Sequence, residues 1–310
     1  MPIHERGYRH WEGTLRGRLW RSFAIARSGT ELALRKRSLI SLVLLCITPS
    51  FLFAVALFVV SRDPQNIAKI GKLLGEGTSW ARFVGKDLSP AHLWALLYSR
   101  FLMIQLISVA VIVTSVGPEL ISKDLRAGAL QVYYSRPMTR RDYILGKLMI
   151  VAVFVGLITL VPAVLLYLVG VVLSKEFAVV GQTFHVLLGI VGAYLVIAFV
   201  AGVLVLTISS LSRRSAHVGI LWALLMVLPE VAYWLVKATY VGVTGSASSP
   251  KNWSHLLSIR ANVVQLIAKI FGLKDVYAFD WFASFFVLTV LMVAALGLLF
   301  RRVQTLEGEH

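Results

Sequence analysis

Six stretches of this chain, 39–60, 93–116, 148–173, 186–211, 218–241 and 281–300, each run for twenty residues or more with almost no charge. A helix of about 20 apolar residues crosses the ~30 Å hydrocarbon core of a bilayer. Lipid admits only elements that satisfy their own backbone polar groups. Six such runs separated by polar segments therefore predict an all-α integral membrane protein with six transmembrane helices. Composition agrees: 58% of residues are hydrophobic and 15% charged, against about 25% charged in soluble domains, and the mean hydropathy is +0.78. The first run does not read as a cleaved signal, because it starts deep in the chain and no small-residue cleavage site follows it. The single cysteine, Cys46, excludes an internal disulfide or a multi-thiolate metal centre and is expected to face lipid or a neighbouring helix.

The net charge of +16 in so apolar a chain points to basic flanks at anionic membrane surfaces and not to nucleic acid. If the N-terminus lies inside, the loops on its side carry nearly twice as many Lys and Arg as the opposite loops. The positive-inside rule then places both termini in the cytoplasm. The chain divides into a cytoplasmic N-terminal segment (1–38), a transmembrane domain (39–300) and a cytoplasmic tail (301–310). Residues 11–27 read as an amphipathic interfacial helix, with Trp11, Leu15, Leu19, Phe23 and Ala26 along one flank. Residues 253–273 are apolar but interrupted by Arg260 and Lys269, which leaves too little length to span; an outer re-entrant or interfacial helix pair is expected before the last span. Residues 62–92 read as an outer loop with one short helix. Tryptophans and tyrosines near span ends (Trp80, Trp94, Tyr167, Tyr233, Trp234, Tyr240, Trp253, Trp281) read as interfacial anchors, and Pro49 and Pro162 as kinks.

Between the second and third spans lies GPELISKDLRAGALQVYYSRPMTRRDYILGKL, residues 117–148. Gly117-Pro118 ends the second span. A short amphipathic helix follows, on which Leu120, Ile121, Leu125 and Ala129 can face the membrane or a partner. Gly128 permits a kink or close approach, and Arg136-Pro137 breaks the helix. Thr139 is placed to cap the next helix, with Asp142 completing a capping box. The result is a helix–turn–helix elbow running into the third span.

The order Asp124, Gly128-Ala129-Leu130, Pro137, Thr139-Arg140-Arg141, Gly146-Lys147 resembles the corresponding loop in the membrane-spanning permease subunits of type-2 ABC exporters. Asp124 stands where Glu is commoner, Ala129 where Thr is usual, and Tyr133-Tyr134 replaces small aliphatics. The motif covers about a tenth of the chain, and the six-span layout is similar to the family throughout. The resemblance implies that the 117–147 loop is a coupling element seated on a separate ATP-binding subunit. Asp124 and Arg126 are then candidate contacts to that subunit, Arg140 and Arg141 contacts to it or to lipid phosphates, and Gly128 and Pro137 shape the elbow. It further implies two ATP-binding subunits, a second permease that completes the pore, and residence in a prokaryotic cytoplasmic membrane.

No Gly-Lys in the chain lies in GxxxxGK[ST], the phosphate-cradling loop. No cofactor is expected on this chain, so ATP and Mg are expected in the partner. The seven histidines show no metal-ligand spacing, and there is no G-x-S-x-G; no enzyme activity of its own is expected. Arg100, Glu230 and Lys237 lie within spans, where an ionisable residue calls for a functional explanation. Arg100 and Glu230 could pair, line a transport path, or snorkel to headgroups and water; for Lys237, snorkelling is the expectation. An ion-coupled carrier or channel using these three charges is the main alternative to an exporter. A membrane assembly subunit that couples to an ATPase but moves no substrate is another.

Overall fold

The computed structural model describes residues 17–62, 90–129, 139–173, 178–244, 253–277 and 280–308. These residues form helices with no β-strand among them, and six helical stretches are long and apolar enough to cross a membrane. The order is α1 (Arg18–Leu34), α2 (Arg37–Arg62), α3 (Pro90–Val116), α4 (Glu119–Ala127), α5 (Arg140–Ile158), α6 (Leu160–Leu173), α7 (Ala178–Leu211), α8 (Ser215–Thr244), a 3-10 turn (Ser254–Leu257), α9 (Ile259–Ile270) and α10 (Trp281–Gly308). Each apolar run recognised in the sequence falls inside one of these elements, the third being shared between α5 and α6. The outer loop expected over 62–92 falls almost wholly outside the described residues.

The fourth span, α7, is the central post. It packs against α3, α5, α6, α8, α9 and α10 and against the short α4. The first, fifth and sixth spans keep most of their surface outward, the arrangement expected of a bundle whose periphery is solvated by lipid. Trp222 of α8 is fully buried and its indole N–H donates to the Ala110 carbonyl of α3 at 3.3 Å, which fixes the fifth span against the second.

Proline sets the shape of the third span. Pro162 has no N–H, so the carbonyl four residues back, Ile158, loses its helical donor, and the helix breaks at Thr159 between α5 and α6. Gln105 of α3 supplies the missing donor, its amide reaching the Ile158 carbonyl at 2.8 Å from a fully buried position. Pro49 in α2 frees the Leu45 carbonyl in the same way, and the Thr48 hydroxyl donates to it at 2.5 Å. Cys46 faces a helix: it is buried with its thiol directed at the Ser108 carbonyl at 3.7 Å.

Three expectations need correction. The N-terminal helix begins at Arg18 and continues to Leu34 rather than ending near residue 27; residues 11–16 lie outside the described residues. The flank expected to face the membrane is split. Ser22 and Ala26 are buried while Phe23 is half exposed, because α1 packs against α5. There Gly146 leaves room for Ile25 and Gly29 leaves room for Ile150; a Cβ on Gly146 would lie 2.8 Å from that of Ile25. Small residues thus select the protein-facing side, and Trp20 and Phe23 face outward. The outer segment is a single 3-10 turn and one helix, not a helix pair, and α9 is largely buried among the spans. Finally, Trp94, Tyr167 and Tyr233 are buried and so are packing residues; Trp94 meets Tyr167 edge-on at 5.5 Å. Trp234 and Trp253 stay about half exposed, as anchors would, and Trp80 lies outside the described residues.

Candidate functional site

At one end of the bundle, called here the elbow end, α3 stops at Val116 and α4 turns away across the foot of α7. An isolated nine-residue helix is marginal, and α4 is held by neighbours at three points. Its first turn is capped from another element: Ser209 of α7 accepts from the amides of Ile121 (3.0 Å) and Ser122 (3.1 Å) and donates to the Pro118 carbonyl at 3.2 Å. On a second side, Asp124 accepts from Lys147 Nζ at 2.6 Å and from the Tyr143 hydroxyl at 2.9 Å, both residues of α5. On a third, Glu119 pairs with Lys36 at 2.6 Å, at the corner between α1 and α2. Leu120 and Ile121 are buried against the bundle, so these two of the four apolar residues turn to the protein's own core.

Gly128 closes α4 at φ 64°, with its amide bonded back to the Asp124 carbonyl. Only glycine adopts this left-handed conformation without cost. Residues 130–138, and Pro137 with them, lie outside the described residues. Beyond them Thr139 caps α5 as its sequence spacing indicates: its side chain accepts from Asp142 N at 3.3 Å, and the Asp142 carboxylate accepts from Thr139 N at 3.1 Å. The elbow's free side is basic. Lys123, Arg126 and Arg141 are exposed and Arg140 is partly buried. Of the residues singled out in the sequence here, Asp124 is committed within the chain, whereas Arg126 and Arg141 point out of it.

A second cluster lies deep in the bundle. Glu230 sits fifteen residues along α8, ~22 Å from its elbow end at 1.5 Å per residue. Its carboxylate pairs with Arg260 at 2.5 Å and accepts from the Ser258 hydroxyl at 2.5 Å. Ser258 also caps α9 by accepting from Ala261 N at 3.0 Å. The carboxylate therefore faces the positive end of a helix as well as a guanidinium. Arg260, which in the sequence served only to interrupt an apolar run, proves to be the ion-pair partner of Glu230. Of the alternatives for Arg100 and Glu230, direct pairing is replaced by this contact. Arg100 instead places its guanidinium 3.7 Å from Met103 Sδ. Lys237 does not simply extend to headgroups; its ammonium lies 4.7 Å from the Trp234 ring and donates to the Tyr233 hydroxyl at 3.3 Å.

The pair stands at the rim of an apolar cavity of about 380 Å³ walled by α3, α7, α8 and α9, with Leu106, Ala110, Ala201, Trp222, Met226 and Val263 among its lining. Toward the far end, Gln265 accepts from the backbone amides of Val276 and Tyr277 and donates to Asp275 at 2.7 Å. His255 stacks on Tyr277 at 4.9 Å. Burial pushes the Tyr277 phenol up to about 12, so the ring stays neutral at any physiological pH. Among the described residues no group of His, Cys, Asp and Glu could hold a metal ion.

A lipid-solvated bundle of six spans, an amphipathic elbow braced at one end and a helix folded back into the other, is the build of a multi-pass membrane permease. The chain belongs to the ABC-2 family transporter proteins, whose pattern it matches over residues 23–304. It is thus the membrane-spanning permease subunit of an ABC transporter, and the family implies an ABC ATP-binding subunit as its partner. No individual curated protein matches it.

Proposed function

We propose that this permease is half of an ATP-driven exporter and that the elbow is where ATP hydrolysis is felt. The observation that carries the reading is the bracing of α4. Its protein-facing side is tied to α2's corner, α5 and α7, while its free side and the start of α5 present Arg126 and Arg141. A partner that pushes on that basic face moves the first, third and fourth spans together. Asp124 positions α4, Arg126 and Arg141 meet the ATP-binding subunit, Arg140 stands beside them, and Gly128 and Pro137 set the turn. ATP and Mg belong to the partner, present in two copies. A second permease completes the pathway, whose wall on this chain is the cavity below Glu230 and Arg260. The bias of basic residues toward the elbow side supports cytoplasmic termini and a prokaryotic cytoplasmic membrane.

The test is purification of the tagged full-length chain from native membranes in mild detergent, followed by mass spectrometry of what accompanies it. An ATP-binding subunit at about one per permease, lost in Arg126→Glu/Arg141→Glu while the variant remains folded, is the expected result. A folded chain that emerges alone, with transport that follows a proton or sodium gradient, overturns it in favour of an ion-driven carrier. An ATPase that couples without any substrate movement leaves the assembly-subunit reading.

A further inference from the structure

Beside the elbow lies a groove of about 440 Å³ between the α1–α2 corner, the end of α3 and the flank of α4 that carries Glu119 and Lys123. Four cations line it, Arg35, Lys36, Lys123 and Lys147, against two anions, Glu119 and Asp124. Both anions are already paired, Glu119 with Lys36 and Asp124 with Lys147. Arg35 and Lys123 are exposed and form no ion pair among the described residues. The groove therefore carries a surplus of two positive charges, one on each wall. The first turn of α2 opens beside it with no acidic residue of its own.

Position decides which anion. Ser38 and Leu39 open the first span, Ser115 and Val116 close the second, and all four line the groove. It lies at the depth where apolar runs give way to charge, the level of lipid phosphates, and Leu32 gives it a wall more than half exposed. The tip of the elbow, with Arg126 and Arg141, lies outside the lining. We infer that this groove binds the headgroup of an anionic phospholipid, whose phosphate bridges Arg35 of the α1–α2 corner and Lys123 of α4. A bound headgroup then ties the elbow to the first span, so the composition of the leaflet tunes how stiffly α4 is held. The inference goes beyond the exporter reading and does not depend on it.

The experiment uses the purified full-length chain and native mass spectrometry with added phosphatidylglycerol or phosphatidylcholine. The chain is expected to retain phosphatidylglycerol preferentially. Each cation near a surface contributes about fivefold in affinity for an anionic lipid, so Arg35→Gln/Lys123→Gln should lower that retention about 25-fold. Thermal unfolding of the variant in phosphatidylcholine should be unchanged, which shows that the fold is intact. Equal retention of both lipids by the wild-type chain overturns the proposal, as does a variant that keeps the preference. Displacement of the lipid by millimolar inorganic phosphate would show a free-anion site instead.

Discussion

Lys147 sits in a nearly closed site, with Asp124 2.6 Å from its Nζ and the Tyr143 ring 5.4 Å away. Removing one member of a buried pair strands the other and costs about 3–5 kcal/mol, whereas replacing both with apolar groups is far milder. Lys147→Met is therefore expected to lower stability by about 3 kcal/mol, and Asp124→Asn/Lys147→Met to recover much of it, measured by denaturant titration in detergent. Gln105 is the other residue whose contact is decisive. Gln105→Leu leaves the Ile158 carbonyl without a donor at the Pro162 break, and intramembrane hydrogen bonds average below 1 kcal/mol. A loss of about 1 kcal/mol in the same titration is the expected outcome; no loss would mean that the third span satisfies that carbonyl by itself. These two residues differ in legibility. Lys147 stands in a recognisable Gly-Lys, but its partner follows from the fold, and nothing local marks Gln105 as the donor for a proline break in the next span.

At the scale of elements, local chemistry was readable and docking was not. Thr139 and Asp142 announce the start of α5 because a capping box needs only four consecutive residues, and the six spans announce themselves by length. The extent of α1 and the side it buries depend on α5, whose Gly146 and Ile150 lie far along the chain. The fold-back of α9 depends on Glu230, which accepts from the cap residue Ser258 and pairs with Arg260. Gly146→Val tests the first of these contacts. Its Cβ would press on Ile25 and on the Ser22 carbonyl, at a cost of about 1–3 kcal/mol. Accelerated proteolysis of α1 with the spans intact is the expected sign.

For the whole molecule, the exposure of the deep ion pair carries the most weight. Side chains of Arg260 and Glu230 are 41% and 25% exposed, yet they lie between apolar spans where bare hydrocarbon would make such exposure costly. Water or protein must cover that face, and under the proposed exporter reading it is the side expected to meet the second permease. Glu230→Gln and Arg260→Gln are each expected to impair transport while the ATP-binding subunit still co-purifies, and cysteine pairs on this face of α8 should cross-link between copies. Transport at wild-type rate in both variants would remove the pair from the pathway. The cap on α4 has a consequence of another kind, for the time at which the machine becomes competent. Ser209 lies 88 residues beyond the Ile121 amide it receives, so a nascent chain that has released the elbow from the ribosome cannot yet finish it. Until the fourth span enters the bilayer, α4 lacks its cap. The surface that would receive a partner is thus assembled only after the central post of the bundle is in place, and half-made chains have no finished elbow to offer.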